Sequence, residues 1–349
     1  MNQELSIKGK TKMNLNDYLN KLRERKNLTQ KQSKELLSLL MEQKTTPEQI
    51  SQILKNLAVK GETIEEIVGF AEGMRELMLS VDVPADSIDI VGTGGDGSNS
   101  FNISTISAIV TAACGVPVAK HGNRAASSKC GSADVLESLE ININLTPEKA
   151  AKVLDKVGMV FLFAPMFHPA MKVVGPVRKE LKIRTIFNYL GPFLNPAKVK
   201  RMLLGVTNLE MAEKFLEIAK QLNFEHLIIV TSNDGMDEIS VAGKTTAFEL
   251  KNGEVRKYII DPQKLGFKKY SKTDLVGGDP EINATIARDI LTGRETGAKR
   301  DAVILNSAYG LLIGEKSKNI REGMKLSAQA ISSGKALQLL DNLVKETNR

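Results

Sequence analysis

Tryptophan is absent from this chain, and only two of its 349 residues are cysteine and three histidine. Each scarcity closes off a class of protein. Cys114 and Cys130 make no C-x-x-C pair, which excludes a disulfide framework and points to a reducing, cytoplasmic compartment. His121, His168 and His226 show no metal-ligand spacing, and no Ser/His/Asp or Cys/His set can be assembled from spacing. Long apolar runs are missing too. The longest, Ile106 to Ala119, is too short to span a bilayer and is interrupted by Ser107, Thr111 and Pro117. The first dozen residues are polar and lysine-bearing, with no signal-peptide core, so neither secretion nor a membrane is expected. Aromatic residues make up 5% of the chain, and no basic run is interleaved with them. The net charge of +7 therefore reads first as a solvated surface and second as a field that steers anionic small substrates, with no nucleic-acid partner.

What is present is chain enough for two domains and an ordinary balance of 42% hydrophobic and 26% charged residues. Residues 14–80 read as helices only. Thr29 with Gln32, Thr46 with Gln49 and Thr63 with Glu66 are capping-box starts, each followed by apolar residues at helical spacing. From residue 81 to the end, strand-like runs alternate with helical segments: Ile88–Val91, Val116–Ala119, Met159–Phe163, Met202–Val206 and Leu227–Thr231. That alternation predicts a mostly parallel sheet with crossover helices. Asn252-Gly253, between Thr245–Leu250 and Glu254–Ile260, predicts an antiparallel hairpin. The proline-punctuated stretch 169–196 is helical and is expected to join the N-terminal helices, and Arg321 to Glu346 reads as a long amphipathic helical region.

Two segments carry anion chemistry. The strand at Ile90-Val91 runs into Gly92-Thr93-Gly94-Gly95-Asp96-Gly97 and then into Asn102-Ile103-Ser104-Thr105, where a helix should begin. Glycines let backbone N–H groups approach an oxyanion, and a helix N-terminus adds unpaired donors. The loop matches G-x-G-x-x-G, yet the next strand ends in Lys120-His121 where a dinucleotide fold needs an acid, and Ser98 stands where a P-loop needs lysine. The second segment, Lys120 to Asp134, packs Lys120, Arg124 and Lys129 with serines and glycines before another helix, whose Asp134 and Glu137 serve as dipole partners. Two such segments in one domain fit a ligand phosphorylated at both ends. Asp237-Glu238, after the strand Leu227–Thr231, is a carboxylate pair of the kind that suits Mg²⁺ beside phosphate. His168 and His226 read as structural, the backbone of His121 matters more than its ring, and Arg178 on its own is an ordinary helix-surface arginine.

Taken together, Gly92–Asp96, Asn102–Thr105, Lys120–Glu137, Phe161–Pro196, Gly235–Glu238 and Gly277–Asn306 resemble the anthranilate phosphoribosyltransferases of tryptophan biosynthesis, from about residue 15 almost to the C-terminus. Cys130 and Phe193 are small departures from the family pattern. The resemblance implies an α/β fold of the nucleoside phosphorylase and phosphoribosyltransferase type: a small helical N-terminal domain and a large α/β domain with a mostly parallel sheet. It implies transfer of the phosphoribosyl group of phosphoribosyl pyrophosphate (PRPP) to the amine of anthranilate, with release of pyrophosphate. By analogy Gly92, Gly95, Asp96, Ser100, Asn102, Ile103, Ser104 and Thr105 line the PRPP site. So do Lys120, His121, Gly122, Asn123, Arg124, Ala125, Ala126, Ser127, Ser128 and Ser132. Gly92, Asn123 and Arg178 would contact anthranilate, and Ser104, Asp237 and Glu238 would hold Mg²⁺, two ions per subunit. The family is typically a homodimer through the helical domain. No general base is singled out. A pyrimidine nucleoside phosphorylase shares the architecture without needing the Asp-Glu pair, and a non-enzymatic nucleic-acid-binding relative would lack part of the diphosphate constellation.

Overall fold

The computed structural model describes residues 13–42, 44–125 and 128–349. In chain order the elements begin with α1 (Leu15–Arg23), α2 (Gln30–Met41), α3 (Pro47–Lys60), α4 (Ile64–Leu77), β1 (Ile88–Gly92), α5 (Ile103–Ala113) and β2 (Val118–Gly122). There follow α6 (Ser132–Ser138), α7 (Pro147–Val157), β3 (Met159–Phe163), α8 (Ala164–Phe167), α9 (Met171–Leu181) and α10 (Phe187–Leu190). The remainder is β4 (Arg201–Gly205), α11 (Leu209–Gln221), β5 (His226–Ser232), β6 (Thr245–Lys251), β7 (Glu254–Ile260), α12 (Pro280–Leu291), α13 (Ala298–Ile313), α14 (Ile320–Ser332) and α15 (Lys335–Thr347). The chain divides into two compact units. One ends at Gly73 and takes in Ala170–Asn188; the other comprises Met74–Pro169 and Tyr189–Arg349.

In the helical unit, local chemistry fixes the helix starts. The capping boxes at Thr29/Gln32 and Thr46/Gln49 form in both directions, as does that at Thr63/Glu66. A further box at Asn14/Asp17 starts α1. Gly69 and Gly73 let α4 lie close on α2: a Cβ at Gly69 would collide with the Gln30 carbonyl, and one at Gly73 would come 2.6 Å from Leu37 Cδ2. Glu66 is fully buried, where it accepts from the Leu28 and Thr63 amides and pairs with Lys60 at 2.8 Å. Its lone pairs are thus met, which a buried charge requires.

The second unit is built on one seven-stranded sheet of order β3-β2-β1-β4-β5-β6-β7. β1 to β5 are parallel and β6 and β7 antiparallel, the hairpin turning at Asn252-Gly253. The chain winds outward from β1 to β3, then returns to place β4 beside β1. The strand order therefore reverses between β1 and β4, and the crevice beyond their carboxyl ends is where open α/β sheets bind ligands.

Two sequence expectations need correction. β2 begins at Val118 rather than Val116, because its ladder to β3 runs from Val118 to Gly122, while the Pro117 carbonyl is taken by the Ile88 amide. Lys120, His121 and Gly122 consequently lie on the strand. The C-terminal region is two helices, α14 and α15, separated at Ser333-Gly334, where Gly334 adopts φ 77°.

Candidate active site

A cavity of about 380 Å³ opens at the carboxyl ends of β1 and β2 in the α/β unit. Its floor is the glycine loop. Gly94, Gly95 and Gly97 have φ of 70°, 77° and 67°, and Asn99 has φ 53°, all in the left-handed region that favours glycine. Asp96 braces this loop by accepting from the Ser98 amide at 3.0 Å, and Ser98 Oγ bonds to Ser100 Oγ at 3.0 Å. A bridge between Ser100 and Val276, with the Phe101 amide on the Leu275 carbonyl, ties the far side down.

At the end of that loop α5 begins. Asn102 makes no side-chain cap to it. Its amide instead donates to the Cys130 carbonyl at 3.2 Å and accepts from Asn283 Nδ2 at 3.0 Å, joining the glycine loop, the second anion segment and α12. The first-turn donors are thus left to other partners. The Ser104 amide points to Glu238 Oε1 at 3.3 Å. Thr105 Oγ1 and Thr93 Oγ1 are buried without a partner.

Asp237 and Glu238 reach the cavity after β5. Asp237 Oδ2 accepts from the Gly94 amide at 2.6 Å, and the Asp237 amide faces Asp96 Oδ2 at 3.4 Å. Both side chains are buried, 7% and 9% exposed. Burial, with Asp96 nearby, pushes the Asp237 carboxyl up to about 7. Burial, with Asp237 adjacent and Lys120 opposing, pushes Glu238 up to about 8.

Lys120 supplies the buried cation. Its ammonium donates to the Ile90 carbonyl and lies 3.4 Å from Ser104 Oγ. Burial pulls its pKa down, against the pull of Asp89, Glu238 and Asp237. Asp89, beneath it, accepts from Asn195 Nδ2 at 2.8 Å and from the His121 amide. Burial outweighs these contacts and raises it to about 6. Gly122 is a close approach: a Cβ there would sit 2.5 Å from Ser132 Oγ and 2.8 Å from the Phe161 ring.

The cavity lining brings together Gly92, Gly95, Asp96, Ser100, Asn102, Ser104, Thr105, Lys120, Gly122, Asn123, Arg124, Ala125, Ser128, Ser132, Asp237 and Glu238. Ile103 and His121 are not in the lining. Ile103 is buried, and the His121 ring packs against His168, with Nε2 atoms 3.3 Å apart. Burial drops these imidazoles to about 3 and about 4, so both are neutral. Ala126 and Ser127 lie outside the described residues. Of the three cations in the second segment, Lys129 is exposed and outside the lining. Arg124 is held by Asp134 at 3.0 Å and by Glu137, so those acids do more than complement a helix dipole. Arg178 belongs to the helical unit, where it is half-buried on α9 with its guanidinium 5.3 Å from the Phe187 ring centre. Sequence reasoning missed Asn195, Asn283 and Asn306. Asn306 alone carried a signal, since a single asparagine in the apolar helical run Val303-Ile304-Leu305-Asn306 has to be satisfied by something; Asn195 lies outside any helix and Asn283 has polar neighbours.

Residues 84–337 match the model of the a/b domain of a glycosyl transferase family, and residues 16–78 match that family's helical bundle domain. The anthranilate phosphoribosyltransferase of Acetivibrio thermocellus is 48% identical over 335 residues, covering 96% of this chain and 97% of the relative. That of Methanobrevibacter smithii is 47% identical over 309 residues, covering 88% and 92%. The crystal structure of the Thermus thermophilus enzyme superposes with a TM-score of 0.88 at 37% identity, over 95% of this chain and 100% of that one. The Saccharomyces cerevisiae enzyme in complex with PRPP and Mg also scores 0.88, at 28% identity over 96% and 98%. The chain belongs to the anthranilate phosphoribosyltransferases, within this glycosyl transferase family.

Proposed function

We propose that the α/β cavity holds PRPP and that the chain transfers its phosphoribosyl group to the amine of anthranilate, releasing pyrophosphate, in tryptophan biosynthesis. The observation that carries the site assignment is the meeting of three things at one crevice: a left-handed glycine loop, the first turn of α5 and two buried carboxylates. In this reading the backbone donors of Gly95–Gly97 and of Thr105, with Lys120 and the serines of the second segment, bind the phosphate groups, while the Gly94 and Ser104 amides hold the two carboxylates. The yeast relative has been solved with PRPP and Mg and, in a separate structure, with 4-fluoroanthranilate, which supports the substrate pair.

The residues present fit Mg²⁺. Asp237 and Glu238 are buried side by side, and burial together with the carboxylate beside each pushes both toward protonation. Among the described residues no three His, Cys, Asp or Glu side chains form a cage of their own. Mg²⁺ commonly takes one or two protein carboxylates and completes its shell with water and phosphate oxygens. We assign Asp237, Glu238 and the Ser104 hydroxyl to it, with two ions per subunit. When bound, the metal supplies positive charge to the diphosphate leaving group. The chain's own contribution is positioning. The glycine loop fixes the ligand against Gly92, and Asn123 and Arg178 orient anthranilate, the guanidinium forking its carboxylate. An aromatic amine is nucleophilic while neutral, so no strong base is required of the protein. We further place the chain in the cytoplasm as a homodimer formed through the helical unit; both described cysteines are free thiols, and no helix of the described residues is long and apolar enough to cross a membrane.

The test is the loss of anthranilate fluorescence with and without PRPP and Mg²⁺. Loss that requires both supports the reading. Phosphorolysis of pyrimidine nucleosides, with no anthranilate turnover, would overturn it.

A further inference from the structure

We propose that Asn306, acting with Gly205, is a positioning residue that sets where the Asp237-Glu238 carboxylates stand relative to α5. The inference rests on the assignment of those carboxylates to the metal and diphosphate.

Asn306 lies in the middle of α13 and is fully buried. Its Oδ1 accepts from the Ile239 amide at 3.1 Å, and its Nδ2 donates to the Ile239 carbonyl at 2.8 Å. One side chain thus meets both backbone groups of the residue after Glu238, as a neighbouring strand would. Nδ2 also donates to the Ala302 carbonyl at 2.9 Å. That bond fixes the amide orientation, since a flipped Asn306 would turn Nδ2 toward the Ile239 amide and Oδ1 toward two carbonyls.

On the other side the segment lies on bare backbone. Gly92 and Gly205 are register partners at the carboxyl ends of β1 and β4. A Cβ at Gly205 would overlap the Asp237 carbonyl, and one at Gly92 would come 2.5 Å from Asp237 Oδ2. Residues 237–239 are therefore set down onto two glycines and pinned by one asparagine.

The next residue of α13 reaches the opposite half of the site. Ser307 Oγ donates to the Ser107 carbonyl at 3.2 Å, and Ser107 Oγ donates to the Val303 carbonyl at 3.4 Å, so α13 grips α5 just below the turn that holds Ser104. Gly310 removes the Cβ that would meet Thr111 Oγ1 and Ile90 Cδ1, each at 2.8 Å. Adjacent positions on one helix thereby hold the carboxylates and the phosphate-facing helix to a single post. Neither Asn306 nor Ser307 lines the cavity.

The experiment uses the full chain and four proteins: wild type, Asn306→Ala, the isosteric Asn306→Asp, and Leu154→Ala, a buried α7 residue that serves as a control for destabilisation alone. Mn²⁺ affinity is titrated in the presence of inorganic pyrophosphate, melting temperature is recorded, and the Mg²⁺ dependence of turnover is measured. Outer partners of metal ligands typically contribute about 10- to 100-fold in metal affinity. Asn306→Ala should weaken Mn²⁺ binding at least roughly tenfold, raise the Mg²⁺ needed for half-maximal turnover in parallel, and leave the anthranilate KM unchanged. Asn306→Asp, which keeps the acceptor but turns a second oxygen toward the Ile239 and Ala302 carbonyls, should lose at least as much. Leu154→Ala should lose melting temperature with unaltered Mn²⁺ affinity. Wild-type Mn²⁺ affinity in folded Asn306→Ala, or the same loss in Leu154→Ala, would overturn the proposal. If Asn306→Ala does not fold, Asn306→Asp decides by the same criterion. Wild-type protein that binds Mn²⁺ with pyrophosphate yet never consumes anthranilate would refute the assigned reaction, while the titration would still judge Asn306.

Discussion

Replacing Asp237 with Asn and Glu238 with Gln should move stability and activity in opposite directions. The substitutions are isosteric and keep an oxygen to accept from the Gly94 and Ser104 amides. What they remove is charge. In metal-free protein at pH 8 the two carboxyls are held up to about 7 and about 8 mainly by burial, so ionising them opposes folding. Each unit of upward shift corresponds to ~1.4 kcal/mol. Recovery of only one unit per residue gives roughly 3 kcal/mol, or about 6–12 °C in melting temperature at the ~2–4 °C per kcal/mol typical of units this large. Turnover should respond the other way. Losing the cation that stabilises a departing diphosphate costs several kcal/mol, so kcat/KM should fall on the order of 10³-fold or more, with the Mg²⁺ requirement shifted upward. The assay pairs scanning calorimetry in chelator with anthranilate fluorescence over a Mg²⁺ series. A double variant that melts below wild type in chelator at pH 8, or that keeps the wild-type Mg²⁺ response, would refute the reasoning.

Metal-free wild type should itself lose stability with rising pH. Asp89, Asp237 and Glu238 titrate above their ordinary values, so between about pH 4 and 8 the folded state binds more protons than the unfolded one; their contribution is complete at the acid end and disappears as pH rises through about 6 to 8. Melting curves in chelator at stepped pH will show this, and Mg²⁺ with PRPP should flatten the slope. Arg178→Ala should raise the anthranilate KM on the order of ten- to hundredfold, from a charge-assisted bond of roughly 1.5–3 kcal/mol, with the PRPP KM nearly unchanged and lysine rescuing only in part. Equal losses for both substrates in steady-state kinetics would make Arg178 structural. Gly95→Val meets no atom within 4 Å of its Cβ, yet it must adopt φ 77°, so the loop should change conformation. PRPP affinity measured by calorimetry should drop far more than the melting temperature.

The parts of the site written contiguously were legible in the sequence. A strand, a glycine loop and a helix start in immediate succession make an anion-binding crevice, and Asp237-Glu238 follows its strand in the same way. What stayed hidden depends on contacts between distant positions. Gly205 is unremarkable until β4 is placed beside β1 and Asp237 is laid across both. Asn283 and Asn306 sit inside helices, and what each does depends on partners at positions 102 and 239. Arg124 illustrates the converse: a cation in a phosphate-like loop whose acidic neighbours, ten and thirteen residues on, fold back to hold it. In the C-terminal region the periodicity is right on both sides of Ser333-Gly334, and one left-handed glycine breaks the helix there.

The outermost strand bears on how this protein behaves when concentrated. β7 ends the sheet, and along it Val255 and Ile259 are 41% and 55% exposed. Alternation puts both on one face with Lys257 between them. An aliphatic edge strand is a template on which a second copy adds its own strand, in the manner of early aggregation. Lys257, itself set over the Phe248 ring, places a charge at the centre of that template, with Glu254 and Arg256 flanking it. Such a residue acts as a gatekeeper. Lys257 is also held 3.9 Å from Glu213, so the charge that interrupts the aliphatic stripe is anchored on this outermost strand, where identical edges would otherwise meet.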